Sequence, residues 1–515
     1  MTTIESVTDT DEHREAVERA EAALLDPAVA HLVEMVLRRV GDDTYEAAAV
    51  DGRVRVRRRP QGTGWAFDEL AIEGRNPLAD RSTDRFSPLA EELANLYPSR
   101  ERNAYPHAYD QLAQLFDHPS APDLVAVHTA AHNWEDHGGH RGEHGSLDVV
   151  QSRAPFVLAG AGVRAQGLIP ASCRLIDVAP TVLALMGAEP CGGIGVNGER
   201  RDDALLARQD GEVLEQLLDP SARPPEHVVG FLIDGTNANV LYDLVARGEL
   251  PAIGRLMAMG TTMGHGAMAS LPTVTLPNHT TILTGAHPGH HGILHNAWWD
   301  RVKRSQEITN SPATWVSAMR SLDPGCETLY SAVKRAFPGS VAVAVNEPCD
   351  TGADHSVFEL MRRGEPIDRP PPVEELPHTS QQFVRPVKEY RWSSLVDHTA
   401  TEQFVGIWSG SWRGRSWPLP RFTWVNFALT DAAMHEGGPH SEIAAAALRD
   451  TDGRIAEMLA AVERAGVFDR TAFFLVADHG MEESDPSCTG SWAEALDASG
   501  VVHRDEAYGF IYVNP

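Results

Sequence analysis

The sequence predicts an α/β fold. Short apolar runs of strand length alternate with helical segments, and several of the runs stop abruptly at an acidic or imidazole side chain. Strands are expected at Asp123–His128, Pro155–Ala159, His227–Ile233, Val341–Val345, Thr423–Leu429 and Thr471–Ala477. Helical spacing marks Glu12–Leu25, Ala28–Arg39, His107–Phe116, Val178–Met186, Asp202–Leu218, Leu250–Met259, Glu327–Ala336 and Ser441–Arg464. Asp51-Gly52, between Ala47–Val50 and Val54–Arg57, is a two-residue hairpin signal. Asp219–Glu226 reads as an exposed linker after a charged segment, and the proline-rich stretch Arg363–His378 as a surface excursion.

At 515 residues the chain has the length of about three domains. It carries 44 Lys and Arg against 72 Asp and Glu, a formal net charge of −28. Such a surface repels phosphate backbones and anionic bilayers, so neither a nucleic-acid polymer nor a membrane is the expected partner. A small anion is admitted only where something locally positive sits in the site. Met1–Glu21 lacks the basic and apolar regions of a secretory signal, and no apolar run reaches the length of a membrane span. Five scattered cysteines without Cys-x-x-Cys spacing suit a reducing compartment, so a cytoplasmic location is expected.

Four clusters carry chemistry, each at or beyond the carboxyl end of an expected strand, where open α/β sheets bind ligands. The apolar strand 227–233 ends in Asp234-Gly235. Thr275-Leu-Pro-Asn278 opens an apolar helix whose N-terminal amides and dipole favour an anion. Asp431 and His435 stand four residues apart on one helical turn, a spacing that suits a divalent metal. Asp478-His479-Gly480 ends a further strand. Any one of these fits a helix cap or a polar strand terminus facing water; the four together fit a metal site.

The set Asp234, Thr275-x-Pro-Asn278, Asp431-x-x-x-His435 and Asp478-His479-Gly480-Met481 resembles the type I phosphodiesterase / nucleotide pyrophosphatase family of the alkaline phosphatase superfamily. The similarity runs on through Asn278–Gly292 and spans most of Val228–Pro515. It implies an alkaline-phosphatase-like three-layer sandwich: a central, mostly parallel sheet, helices on both faces, and a smaller cap. Such proteins place one more histidine ligand downstream of the Asp-His-Gly element, in a His-Gly segment before a strand. That element is found upstream instead, as His144-Gly145 before Ala154–Gly162, and Ile176–Gly187 resembles the domain's closing helix. The implied organisation is a circular permutation. Residues 1–218 stand for the usual C-terminal part, 219–226 join, and 227–515 supply the usual beginning and centre, with a cap at about 363–420. Exposed, neighbouring termini make such a rearrangement tolerable.

By the same resemblance two divalent ions are expected, zinc first, with manganese or iron as alternatives. One is held by Asp234, Asp478, His479 and the Thr275 hydroxyl, the other by Asp431, His435 and His144. His140 and His503 compete with His144, while His279 and His291 are expected to pack behind the site. Thr275 is the implied nucleophile, forming a phospho-threonine that water then hydrolyses, with Asn278 steadying a non-bridging oxygen. Four positive charges against three aspartates let a small phosphoryl ester enter a −28 protein. The expected activity is hydrolysis of phosphodiester or pyrophosphate bonds. Phosphonate or phosphomonoester hydrolysis is the alternative, and a non-catalytic binding protein is a third reading. A sulfatase is disfavoured, because the Cys/Ser-x-Pro-x-Arg context is missing. Leu276 stands where nucleotide-cleaving members usually carry an aromatic, and Val274 where lysine is frequent. Trp298 and Trp299 offer a substitute platform or core packing; Trp408, Trp412, Trp417, Arg413 and Arg415 are candidates for a substrate rim.

Overall fold

The computed structural model describes residues 10–81, 86–129, 132, 140–365 and 388–515. The first long sheet is antiparallel and forms largely from the N-terminal region: β1 (Val33–Gly41), β2 (Thr44–Ala49), β3 (Gly52–Gln61), β4 (Gly64–Gly74) and β5 (Leu124–His128). The second is built from β6 (Phe156–Gly160), β7 (Gly167–Ile169), β8 (His227–Ile233), β9 (Gly260–Met263), β10 (Ala342–Val345), β11 (Phe422–Phe427) and β12 (Thr471–Val476). The last strands, β13 (His503–Glu506) and β14 (Phe510–Val513), return to the first sheet.

The second sheet has the order β10-β11-β8-β12-β6-β9-β7 and is the central, mostly parallel one. β10, β11, β8 and β12 run parallel; β6 is antiparallel to both of its neighbours. Every residue of β8 is buried, as an unbroken apolar run at the middle of a parallel sheet requires. At its centre Gly230 pairs with Trp424 and Phe474, and a Cβ there would lie 2.3 Å from the Phe474 ring and 2.7 Å from the Trp424 ring. The missing side chain makes room for the two aromatics. Helices α1 (Asp11–Leu24) and α2 (Ala108–Leu115) pack in the cores on the first sheet, while α3 (Val178–Leu185), α4 (Thr275–Thr284), α5 (Lys388–Trp408), α6 (Leu429–Gly437) and α7 (Glu442–Arg464) share the core of the second sheet or pack on the helices that do. Within the segment expected as a cap, α5 buries Phe404, Ile407 and Trp408 in that core; Pro366–Val387 lie outside the described residues.

The first sheet has the order β13-β14-β5-β1-β2-β3-β4, with every pairing antiparallel. It contains the expected hairpin, Ala49 pairing Gly52. Two other expectations fail here. Ala28–Arg39 is not a helix, since β1 begins at Val33. Met35 and Leu37 enter one core and Val33 and Val36 another, so both faces are apolar and the spacing imitates a helix. Asp202–Leu218 is not a helix but one two-residue strand, Arg208–Gln209, and a 3-10 turn, Glu215–Leu217, with Arg201 and Arg208 drawing the acids into local ion pairs. Gly211 also passes so close to the Ile176 carbonyl that a Cβ would sit 2.0 Å from its oxygen.

Just before β6, the fully buried Arg153 guanidinium is paired with the buried Glu92 carboxylate and donates to the Gly264 carbonyl at 2.7 Å. This pair ties the 89–93 segment to the central sheet. Glu92→Ala would leave a charge buried without its partner and is expected to cost about 3–5 kcal/mol, read by urea denaturation; a loss under about 1 kcal/mol would show the pair to be dispensable.

Candidate active site

Three strand ends and two helices converge at the carboxyl edge of the central sheet. Asp234 follows β8, Asp478-His479 follow β12, Asp431 and His435 lie on α6 after β11, and Thr275 is the first residue of α4. His144 arrives from the upstream half of the chain. Its approach is fixed by Gly142–Glu143, which pairs antiparallel with Glu482–Glu483 immediately beyond the Asp478-His479 element.

The acids are held closer than like charges tolerate in isolation. Gly235 adopts φ +67, and a Cβ at that position would lie 2.6 Å from Asp431 Oδ1. Its N–H donates to Asp478 Oδ1 at 3.0 Å. One glycine therefore lets Asp431 in and pins Asp478. Burial first, then repulsion from Asp478 and Asp431, holds the Asp234 carboxyl well above its ordinary range. Asp478 goes the other way: burial raises it, but the neighbouring His479 and His279 outweigh that and hold it well below.

The three candidate histidines share one geometry. His144 Nδ1 lies 2.9 Å from the Thr273 carbonyl, His435 Nδ1 2.7 Å from the Gly142 carbonyl, and His479 Nδ1 2.9 Å from the Gly480 carbonyl. A carbonyl oxygen only accepts, so each Nδ1 carries the proton and donates, leaving Nε2 to face the acids. His144 Nε2 lies 3.8 Å and His435 Nε2 3.5 Å from Asp431 Oδ1; His479 Nε2 lies 3.1 Å from Asp478 Oδ2. Burial, then the adjacent His479 and His435, holds His144 well below its usual value and hence neutral.

The residues fit a pair of divalent ions. Asp234 Oδ1 and Asp431 Oδ1 are buried polar atoms without a hydrogen-bond partner, and Asp478 Oδ2 and His479 Nε2 face each other, an expensive state unless a cation answers them. Ligand atoms of His144, Asp431 and His435 lie within 4.8 Å of one another, as do those of Asp234, Asp431 and His479. Asp431 belongs to both groups, which makes the two adjacent. His279 also faces Asp234 and Asp478. Of the alternatives to His144, His140 lies beside Glu143 at 3.2 Å and against the His435 ring, while His503 is on β13 in the other sheet. His291 packs under α4, its Nε2 near the Pro277 carbonyl.

Asn278 does not do what its position predicts. Its Oδ1 accepts the Ser270 N–H at 2.8 Å, and Nδ2 faces the carbonyls of Ser270, Pro272 and Val274 at 3.1, 2.9 and 3.1 Å. Fully buried and saturated, that amide builds the loop before Thr275 and has no donor left for substrate. The amide that reaches the Thr275 turn is that of Asn296, whose Oδ1 accepts the Leu276 N–H at 3.2 Å. Nothing in its sequence context distinguishes it.

A cleft opens beside Asp234, Thr275 and His279, walled by Trp315, Trp392 and Phe358. Trp315 and Trp392 stack at 6.0 Å and 26°, and Phe358 meets Trp315 edge-on at 6.3 Å. The tryptophans singled out in the sequence lie elsewhere. Trp298 is buried beneath the antiparallel sheet, and Trp299 carries the Arg504 guanidinium 4.1 Å above its ring. Trp408 is core, Trp412 and Trp417 pack against that core, and Arg415 pairs with Glu365. Trp315 and Trp392 are far apart in the chain, and no local pattern links them.

The family model for type I phosphodiesterase / nucleotide pyrophosphatase matches residues 228–515, more than half of the chain. The chain belongs to that family. It is 25% identical over 269 residues to ectonucleotide pyrophosphatase/phosphodiesterase family member 3 of Mus musculus, covering 51% of this chain and 25% of that protein. It is 32% identical over 77 residues to alkaline phosphatase PafA of Elizabethkingia meningoseptica, 15% of this chain and 14% of that one. The chain thus spans about a quarter of the length of the first of these relatives and less of the second. Among solved structures, a murine ectonucleotide pyrophosphatase / phosphodiesterase 5 in complex with AMP superposes with a TM-score of 0.41 at 16% identity, covering 56% of this chain and 66% of that one. A phosphonoacetate hydrolase from Sinorhizobium meliloti 1021 gives 0.32 at 18% identity, with 51% and 58% covered.

Two expectations follow. Gly235→Ala forces the backbone out of a left-handed conformation and pushes Asp431 away. It should cost about 1–3 kcal/mol in stability and weaken divalent-ion uptake, read by urea denaturation and by metal content after dialysis. Asp397 on α5 accepts the Ala428 and Leu429 N–H groups, at 2.9 and 3.1 Å, at the start of α6. Burial pushes its carboxyl up to about 7. The folded chain therefore binds this proton more tightly than the unfolded one, and stability should fall as pH rises from about 4 to about 7. Asp397→Asn removes that slope in urea titrations across the window; an unchanged slope would assign it to other groups.

Proposed function

We propose that the chain hydrolyses phosphodiester or pyrophosphate bonds of small molecules at a two-ion centre, with Thr275 as nucleophile. The observation that carries this reading is the common orientation of His144, His435 and His479, each fixed through Nδ1 so that Nε2 faces an acid with unanswered oxygens. Divalent ions held by Asp234, Asp478, His479 and Thr275 on one side and by Asp431, His435 and His144 on the other would supply Lewis-acid charge and lower the pKa of a hydroxyl or water. We assign zinc to these nitrogen and oxygen donors.

The chain's own residues perform the rest. Thr275 Oγ1 stands at the N-terminus of α4, where the helix dipole favours the incoming phosphoryl group. Its oxygen bonds to phosphorus as the ester bond to the leaving group breaks, and the departing oxygen takes up a proton. Water then attacks phosphorus, the Oγ1–P bond breaks, and threonine regains its proton. Asn296, anchored on the Leu276 N–H, replaces Asn278 as the amide that steadies a non-bridging oxygen.

The cleft beside Thr275 receives the rest of the substrate. Among the described residues that line it there is no Lys or Arg. Its aromatic wall and neutral amides, Asn310, Asn346, Asn426 and Gln403, suit an uncharged group better than a second anionic charge. This favours a diester over a dianionic monoester or a phosphonate bearing a carboxylate. The motif order, with His144 and β6 upstream of the 219–226 joint, supports a circularly permuted arrangement of the family domain. Five unpaired cysteines support a cytoplasmic location.

Zinc-loaded protein should cleave bis(p-nitrophenyl) phosphate faster than p-nitrophenyl phosphate, and a chelator should abolish both activities. Thr275→Ala should lose about a thousandfold or more in kcat while keeping its metal. Retention of activity within about tenfold would overturn the nucleophile assignment.

A further inference from the structure

Glu347 lies just beyond β10, does not line the cleft, and is fully buried. Its carboxylate gathers three donors. The Cys349 N–H reaches Oε1 at 2.7 Å, the Trp424 indole N–H reaches Oε2 at 2.8 Å, and His279 Nδ1 lies 3.0 Å from Oε2. A carboxylate at this depth is costly unless a partner answers its charge. The amide and the indole anchor the carboxylate in place; the imidazole is the donor that connects it to the ion site.

With Nδ1 turned to Glu347, the other edge of His279 is aimed at the ion site. Its Nε2 lies 3.5 Å from Asp478 Oδ2 and 3.6 Å from Asp234 Oδ2, and is buried without a hydrogen-bond partner. These are the same two carboxylates that the two-ion reading assigns to one ion. We propose that Glu347 is a positioning residue: acting through His279, it sets the spacing of Asp234 and Asp478 and thereby the affinity of that half of the site for its divalent ion. The inference rests on the proposed two-ion centre. Without the Glu347 charge the imidazole is free to turn about its side-chain torsion. The two acids then lose the ring packed against them, and their spacing relaxes.

The test is zinc affinity of the full-length chain, by competition with a chromophoric chelator, for Glu347→Gln, His279→Gln and the double variant. Melting of the metal-free proteins checks that each is folded. Glu347→Gln should weaken one zinc ion about 10- to 100-fold and leave the other within about threefold, and the double variant should be no weaker than His279→Gln alone. Glu347→Asp keeps the charge but withdraws it by one methylene, so it should lose less and serve where the Gln variant fails to fold. Zinc affinity of Glu347→Gln within about twofold of wild type, a Glu347→Asp variant that loses as much as His279→Gln, or single losses that multiply in the double variant, would overturn the positioning role. A wild-type chain that takes up no divalent ion would overturn the two-ion reading itself, and this role with it.

Discussion

Three carboxylates are packed about a single glycine: Asp234 and Asp478 buried, and Asp431 at the partly exposed edge of the same group. Gly235 is the pivot, because its backbone N–H pins Asp478 and its missing Cβ admits Asp431. Like charges at this range repel strongly in a buried setting, and burial adds to the penalty. The arrangement is stable only when cations, or the surrounding imidazoles, answer it. The orientation of three histidines through backbone carbonyls, the burial of Glu347 behind His279, and the approach of the 140–145 segment all bear on that one electrostatic problem.

The fold solves it by dividing the work between rigid and adjustable parts. Strand ends of the central parallel sheet supply Asp234 and Asp478-His479, so the separation of their backbones follows from the pairing of β8 with β12. The helix after β11 supplies Asp431 and His435, and its start is fixed by Asp397 on α5. His144 comes from the other end of the chain, held by the short pairing of 142–143 with 482–483 and by the Thr273 carbonyl two residues before Thr275. The same loop is shaped by Asn278, so the Thr275 turn and one candidate ligand share a support.

What was legible in the sequence was what local chemistry encodes. Apolar runs ending in Asp234 or in Asp478-His479 announce a strand and a polar terminus together, and Asp431 and His435 declare a shared face by their spacing alone. The family match over 228–515 agrees with those motifs. What was not legible depends on distant contacts. β1 reads as a helix because its two faces enter two different cores. The antiparallel sheet joins residues 33–74 to 503–513, a pairing that no window reveals. Asn278 looked like a substrate contact because its motif says nothing of the loop carbonyls it satisfies, and the Trp315–Trp392 wall meets only in three dimensions.

The central claim is that the two halves of the chain complete one metal centre, with His144 crossing from the upstream half. Metal content of the purified, zinc-saturated protein by elemental analysis tests it most directly. The wild-type chain should hold two ions and His144→Ala one, with folding intact by circular dichroism. Equal zinc content in the two proteins would contradict it.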